Sequence, residues 1–128
     1  MDISQEAFPP HDPQALVPLT PAVFHILLAL GKADLYGLVI MQEVEHLTHQ
    51  QVRLGPGTLY RSLQRMVLDG LIEECGDVHH VAPRDERRRV YRLTPFGRQV
   101  AHLEAQRLAT LVEAAKARGF LSDMEDNP

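Results

Sequence analysis

Tryptophan is absent from this sequence, and cysteine occurs once, at Cys75. A lone thiol cannot build an internal disulfide framework, which fits a reducing compartment, and it leaves no sulfur cluster for a structural zinc site. Long apolar runs are missing too. The longest, such as Ile26 to Leu30, fall far short of the ~20 residues a bilayer-spanning helix needs, so no membrane span is expected. The first residues, Met1 to Glu6, lack a basic stretch followed by an apolar one, so secretion is not expected and a cytoplasmic location is. Also lacking are a nucleophile with its base and orienting partner, a phosphate-cradling glycine loop and a paired-carboxylate arrangement. An enzyme reading therefore has no residues to stand on, and no cofactor is implied.

What is present is an ordinary proportion of apolar and charged residues, 45% and 23% of 128, the composition of one small soluble domain. The net charge of −4 conceals an uneven distribution. Between Gln51 and Arg98 there are nine Arg and no Lys against six Asp or Glu, a net of +3, so the remainder carries −7. A basic middle between acidic ends is a local electrostatic footprint, and local sign steers binding better than the whole-chain total.

Residues 1–18 contain Pro9, Pro10, Pro13 and Pro18 with few large apolar residues, and read as a flexible tail that does not build a helix. Thr20-Pro21 then supplies a capping hydroxyl and a proline at the first helical position. The apolar run Val23 to Leu30 ends at Gly31, giving a first helix whose apolar residues surround its axis. Asp34 is placed to cap a second helix, Leu35 to Leu47, with Leu38, Val39, Met41, Val44 and Leu47 as its stripe. A third helix starts at Gly55-Pro56 and stops at Gly70. Leu71 to Cys75 and Arg89 to Leu93 read as the strands of a hairpin, with 76–88 as its loop. Thr94-Pro95 opens a long fourth helix that runs to about Arg118 and ends at Gly119, before an acidic tail at 122–128. The expected fold is mainly α: a winged helix-turn-helix over 19–94, made of a three-helix unit and a β-hairpin wing, followed by a C-terminal dimerisation helix over 95–121.

At 100° per residue, Leu59, Leu63, Met66 and Val67 share one side of the third helix, while Thr58, Arg61, Gln64 and Arg65 project from the other. An α-helix fits the major groove of DNA, where Arg can bond a guanine edge with two donors and Gln an adenine edge. Gly57 and Thr58 occupy the first turn, where unpaired N–H groups favour a phosphate, and Tyr60 lies on the boundary between the faces. In the hairpin, Arg84, Arg87, Arg88 and Arg89 are concentrated where a wing meets the backbone or minor groove of a duplex, with Asp85 and Glu86 between them.

The strings Gly57-Thr58-Leu59-Tyr60-Arg61-Ser62-Leu63, Asp69-Gly70-Leu71-Ile72 and Arg88-Arg89-Val90-Tyr91-Arg92-Leu93-Thr94-Pro95-Phe96-Gly97, in this order and with Leu35-Tyr36-Gly37-Leu38 ahead of them, resemble the PadR family of bacterial regulators. The resemblance covers about Leu19 to Leu121. It implies a homodimeric winged-helix repressor of the shorter branch with a single C-terminal helix, often controlled by a small ligand or stress signal and dimerising through that helix. The sequence departs from the family pattern at Gly55-Pro56, at Val90 and in a longer wing loop holding His79-His80. The tryptophan pair that sandwiches drugs in some members cannot exist here.

The last helix carries Val100, Leu103, Leu108, Leu111, Val112 and Ala115 as an apolar band broken by Glu104, and these residues, with Phe24, Leu27 and Leu28 of the first helix, are the candidate dimer contacts. The expected partners are double-stranded DNA, a second copy of the chain and an unidentified small effector. Two other readings use the same residues: a winged-helix module that docks protein, and a metal-responsive regulator in which His46 and His49 join His79, His80 or Asp77. Cys75, at a strand end, is a weak candidate for a redox switch, with nearby arginines able to lower its pKa.

Overall fold

A computed structural model of the chain describes residues 12–75 and 89–121. A 3-10 turn, Pro13–Leu16, leads into helix α1, Pro21–Ala29; then follow strand β1, Leu35–Tyr36, helix α2, Gly37–Leu47, helix α3, Pro56–Leu68, strands β2, Ile72–Glu74, and β3, Val90–Leu93, and helix α4, Pro95–Ala117. The architecture is the expected one, mainly α with an antiparallel wing. Local chemistry sets most boundaries. The Thr20 hydroxyl caps α1 by accepting from the Val23 N–H, with Pro21 in the first turn. Gly70 and Gly119, at φ +80° and +82°, follow the ends of α3 and α4, where a left-handed residue lets the chain turn away.

The sheet holds a strand that the sequence reading assigned to a helix. Leu35 and Tyr36 are extended and pair with Tyr91 and Val90, so the strand order is β1-β3-β2. Helix α2 consequently starts at Gly37 behind Tyr36, with no side-chain cap, and the expected cap Asp34 instead accepts a bond from the Cys75 thiol at 3.6 Å. The Pro-rich segment also differs from expectation over its described part. Asp12 caps the 3-10 turn through the Gln14 N–H, and Leu16 and Val17 pack on the core. Residues 1–11 and 122–128 of the two expected tails lie outside the described residues.

The core lies where α1, α2, α3 and the first turns of α4 converge on the sheet: Ile26, Leu27, Leu30, Ile40, Val44, Leu59, Leu63, Met66, Leu71, Ile72 and Val100 are buried together. Each such aliphatic side chain contributes about 1.5–3 kcal/mol by leaving water. Leu27 and Val100, expected at a dimer contact, are thereby corrected: both are inside the chain's own core. Val67 is corrected in the other direction. It is partly exposed, because α3 turns that flank toward the open side of the sheet and not toward α1.

Helix α4 is anchored at a junction around Thr94. Its hydroxyl donates to the Gly70 carbonyl at 2.6 Å and accepts from the Gly97 N–H at 2.9 Å, while its backbone N–H donates to the Leu71 carbonyl at 3.1 Å. A Cβ on Gly97 would collide with the Leu71 carbonyl oxygen and approach the carbonyl carbon to 2.9 Å, so backbone meets backbone here.

Glu104, read from sequence as a break in an apolar band, is buried, with 2% of its surface exposed. Arg107, one turn on, donates two bonds to its carboxylate, Nε at 2.9 Å and Nη2 at 2.7 Å. The guanidinium holds the carboxyl below the ordinary carboxylate range, against the opposing effect of burial, and the Leu19 N–H adds to it. A carboxyl that titrates lower when folded contributes stability in full above its unfolded pKa, and loses it as pH falls through the folded value. The melting-temperature difference between wild type and Glu104→Gln is accordingly expected to be widest near neutrality and to close as pH falls below the ordinary carboxylate range. A gap that stays constant across a pH series of thermal melts would refute the assignment.

Candidate nucleic-acid interface

Helix α3 is presented by the turn before it. The Thr48 hydroxyl donates to the Val44 carbonyl at 2.8 Å and accepts from the Val52 N–H at 3.0 Å, closing the end of α2. His49 and Gln50 take left-handed backbone, φ 54° and 68°, to reverse the chain. Such residues carry strain of order 1 kcal/mol each, offset here by the Thr48 bonds and by the Gln50 N–H donating to Glu45.

With Leu59, Leu63 and Met66 fixing its inner face, α3 leaves Gly57, Thr58, Arg61, Gln64 and Arg65 exposed on the outer one. Gly55 heads the helix without a side-chain cap and Pro56 follows, so the amides of the first turn are not taken up by a capping side chain. The Arg61 guanidinium folds back over this turn, its Nη1 lying 3.4 Å from where a Cβ of Gly57 would stand. Arg65 donates from Nε to Asp69 at 3.3 Å, a partner that the sequence reading did not single out although the i,i+4 spacing carries the signal.

Tyr60 is half-buried. Its ring and hydroxyl occupy the space above Gly37: a Cβ there would lie 2.8 Å from the hydroxyl oxygen and 2.9 Å from the ring. Gly37 is thus the seat of Tyr60, and it joins the start of α2 to the middle of α3. Between α3 and the sheet runs a crevice of about 320 Å³ bordered by Tyr60, Gln64, Val67, Leu68, Glu74, Arg89 and Tyr91.

On the wing, Arg89 is half-buried and paired with Glu74 at 3.0 Å, and Arg92 with Glu73 at 2.9 Å. Arg84, Arg87 and Arg88 lie outside the described residues, as do Asp77, His79 and His80 of the metal reading. His46 and His49 are exposed, and no group of three or more potential ligands gathers among the described residues. The Cys75 thiol is pushed up, not down: burial raises it first, the neighbouring Asp34 carboxylate next, and Arg92 opposes them without prevailing.

Residues 26–103, more than half the chain, match the model of the transcriptional regulator PadR-like family. The chain belongs to that family. Among curated relatives of this PadR-like chain, the transcriptional regulator Rv3488 of Mycobacterium tuberculosis is 40% identical over 75 residues, 58% of this chain and 63% of that one. An uncharacterised 37.1 kDa protein of a Streptomyces fradiae transposon is 35% identical over 89 residues, 67% of this chain and 22% of that one. The chain therefore spans less than two thirds of either relative. Among solved structures, a PadR family transcription regulator of Clostridium difficile superposes with a TM-score of 0.63 at 23% identity, over 77% of this chain and 97% of that one, which shows the shared fold. A family of transcriptional regulators accords with the absence of a catalytic constellation in the sequence.

The Gly37 seat generates a test within the PadR-like fold. Gly37→Ala is expected to expel the Tyr60 ring, lowering stability by about 1–3 kcal/mol and altering the tyrosine fluorescence, which no tryptophan masks. Unchanged fluorescence and an unchanged denaturant midpoint would show that the ring does not depend on Gly37.

Proposed function

We propose that the chain is a sequence-specific DNA-binding transcriptional repressor that acts in the cytoplasm as a homodimer on a near-palindromic operator and is released by a small ligand or stress signal. One observation carries this reading: Thr58, Arg61, Gln64 and Arg65 stand exposed together on α3, whose opposite face is held in the core. In the major groove, Arg61, Gln64 and Arg65 reach base edges, and the uncapped first turn at Gly57 and Thr58 receives a phosphate with the Tyr60 hydroxyl beside it. Arg84, Arg87, Arg88 and Arg89 of the wing grip the adjacent backbone, which positions the head without reading sequence.

Dimerisation is assigned to the far half of α4 and to α1. Leu111 is 53% exposed, Val112 43% and Phe120 80%, and Leu28 of α1 is exposed as well, large apolar side chains that a second copy would cover. Phe24, Leu103, Leu108 and Ala115, all half-buried, border it. Phe120 and Leu121 were missed in the sequence because they follow the helix-ending Gly119 and join no helical periodicity. A two-fold pair presents two α3 helices to half-sites about one duplex turn apart.

In fluorescence-anisotropy titrations against a duplex selected from a random library, affinity is expected to fall steeply with salt. Arg61→Ala and Arg65→Ala are each expected to cost about 1–3 kcal/mol on that duplex and less on a scrambled one. Equal losses on both duplexes would contradict base reading, and binding to neither would favour a protein-docking module. By sedimentation, Leu111→Glu is expected to convert a dimer into a folded monomer with weaker operator binding. A wild-type monomer at micromolar concentration would overturn the two-headed arrangement.

A further inference from the structure

Asp69 follows α3 as its C-cap residue, where an anion is electrostatically unfavourable because the last carbonyls form the negative end of the helix dipole. Its carboxylate accepts a bond from Arg65 Nε at 3.3 Å, with 21% of the Asp69 side chain exposed and 72% of the Arg65 side chain. With the Arg65 side chain this exposed, solvent screening leaves the pair little to add to folding.

The geometry of the bond suggests a different purpose. The hydrogen bond engages Nε alone, and among the described residues neither terminal nitrogen of Arg65 makes a hydrogen bond. A guanidinium tethered at Nε has its plane restrained and offers its two Nη groups at the far edge. That pair of parallel donors spans N7 and O6 of a guanine. Arg61 contrasts with it. No carboxylate among the described residues pairs with Arg61, and its guanidinium lies over the first turn of the helix, where a phosphate is the favoured ligand.

We propose that Asp69 is a positioning residue that holds Arg65 to read a guanine, which makes the Arg65–Asp69 pair a specificity determinant of the protein. The inference rests on the DNA-binding reading above. Orientation, not charge, is what the carboxylate supplies: an extra negative group beside the interface weakens attraction to phosphate and has to be outweighed by selectivity.

The test uses the full chain as wild type, Asp69→Asn, Arg65→Ala and the double variant. Each is titrated against the best duplex the wild type selects from a random library, against all its single base-pair variants, and against a scrambled duplex. The wild type is expected to prefer guanine at one position by about tenfold or more. Asp69→Asn should reduce that preference to about threefold or less while binding the scrambled duplex as well as or better than wild type. Arg65→Ala should abolish the preference, and adding Asp69→Asn to it should change nothing further. Thermal melts separate folding from reading, and Asp69→Asn is expected to melt no lower than wild type. Full guanine preference in Asp69→Asn, an equal effect of that substitution in the Arg65→Ala background, or an even loss on all duplexes with a lowered melting temperature would each overturn the proposal. A wild type that selects a sequence with no Arg65-dependent guanine overturns it as well. A wild type that selects no sequence overturns the DNA-binding reading instead.

Discussion

The hydroxyl of Thr94 sits where the end of α3, the wing and the start of α4 meet, and the relative placement of all three depends on its bonds to Gly70 and Gly97. Around it two stretches of backbone, at Leu71 and Gly97, come together too closely for a side chain to intervene. This makes the joint stiff. A half-buried polar group at such a joint, satisfied on both sides, specifies one arrangement, because slippage leaves a donor or acceptor without its partner. The outward face of α3 and the far half of α4 are thereby held in a fixed relation.

The charge distribution is organised around the same frame. An acidic chain approaches a polyanion only if its cations are gathered and its acids are held elsewhere or occupied. Two arginines are committed to structure: Arg92 to Glu73 and Arg107 to the buried Glu104. The outer face of α3 keeps Arg61 and Arg65 forward, and Asp69 beside them hydrogen-bonds Arg65 through Nε. Counting net charge hides this economy, whereas the positions of individual pairs make it plain.

Much of the fold could be read along the chain because its signals are local. Thr20-Pro21 and Thr94-Pro95 mark helix starts through bonds that span three residues. Gly70 and Gly119 mark ends through a backbone angle. The three described residues of α3's inner face, Leu59, Leu63 and Met66, follow from helical period alone. The strand Leu35–Tyr36 did not, because two residues carry no periodicity and their extended state is drawn from Tyr91 and Val90, more than fifty residues away. Burial was equally illegible where a partner element decides it. Leu27 and Val100 belong to the core and not to a dimer contact, Val67 belongs to the crevice, and Glu104 sits inside because Arg107 and the Leu19 N–H receive it there.

The order of residues alone thus determined where helices lie, the caps of α1 and α4 and the polar stripe on α3, since each rests on contacts within one or two turns of backbone. Which apolar residues are enclosed, which acid meets which base, and how the outer face of α3 stands relative to α4 were settled only in three dimensions. Desolvation and hydrogen-bond satisfaction depend on atoms that distant parts of the chain bring alongside.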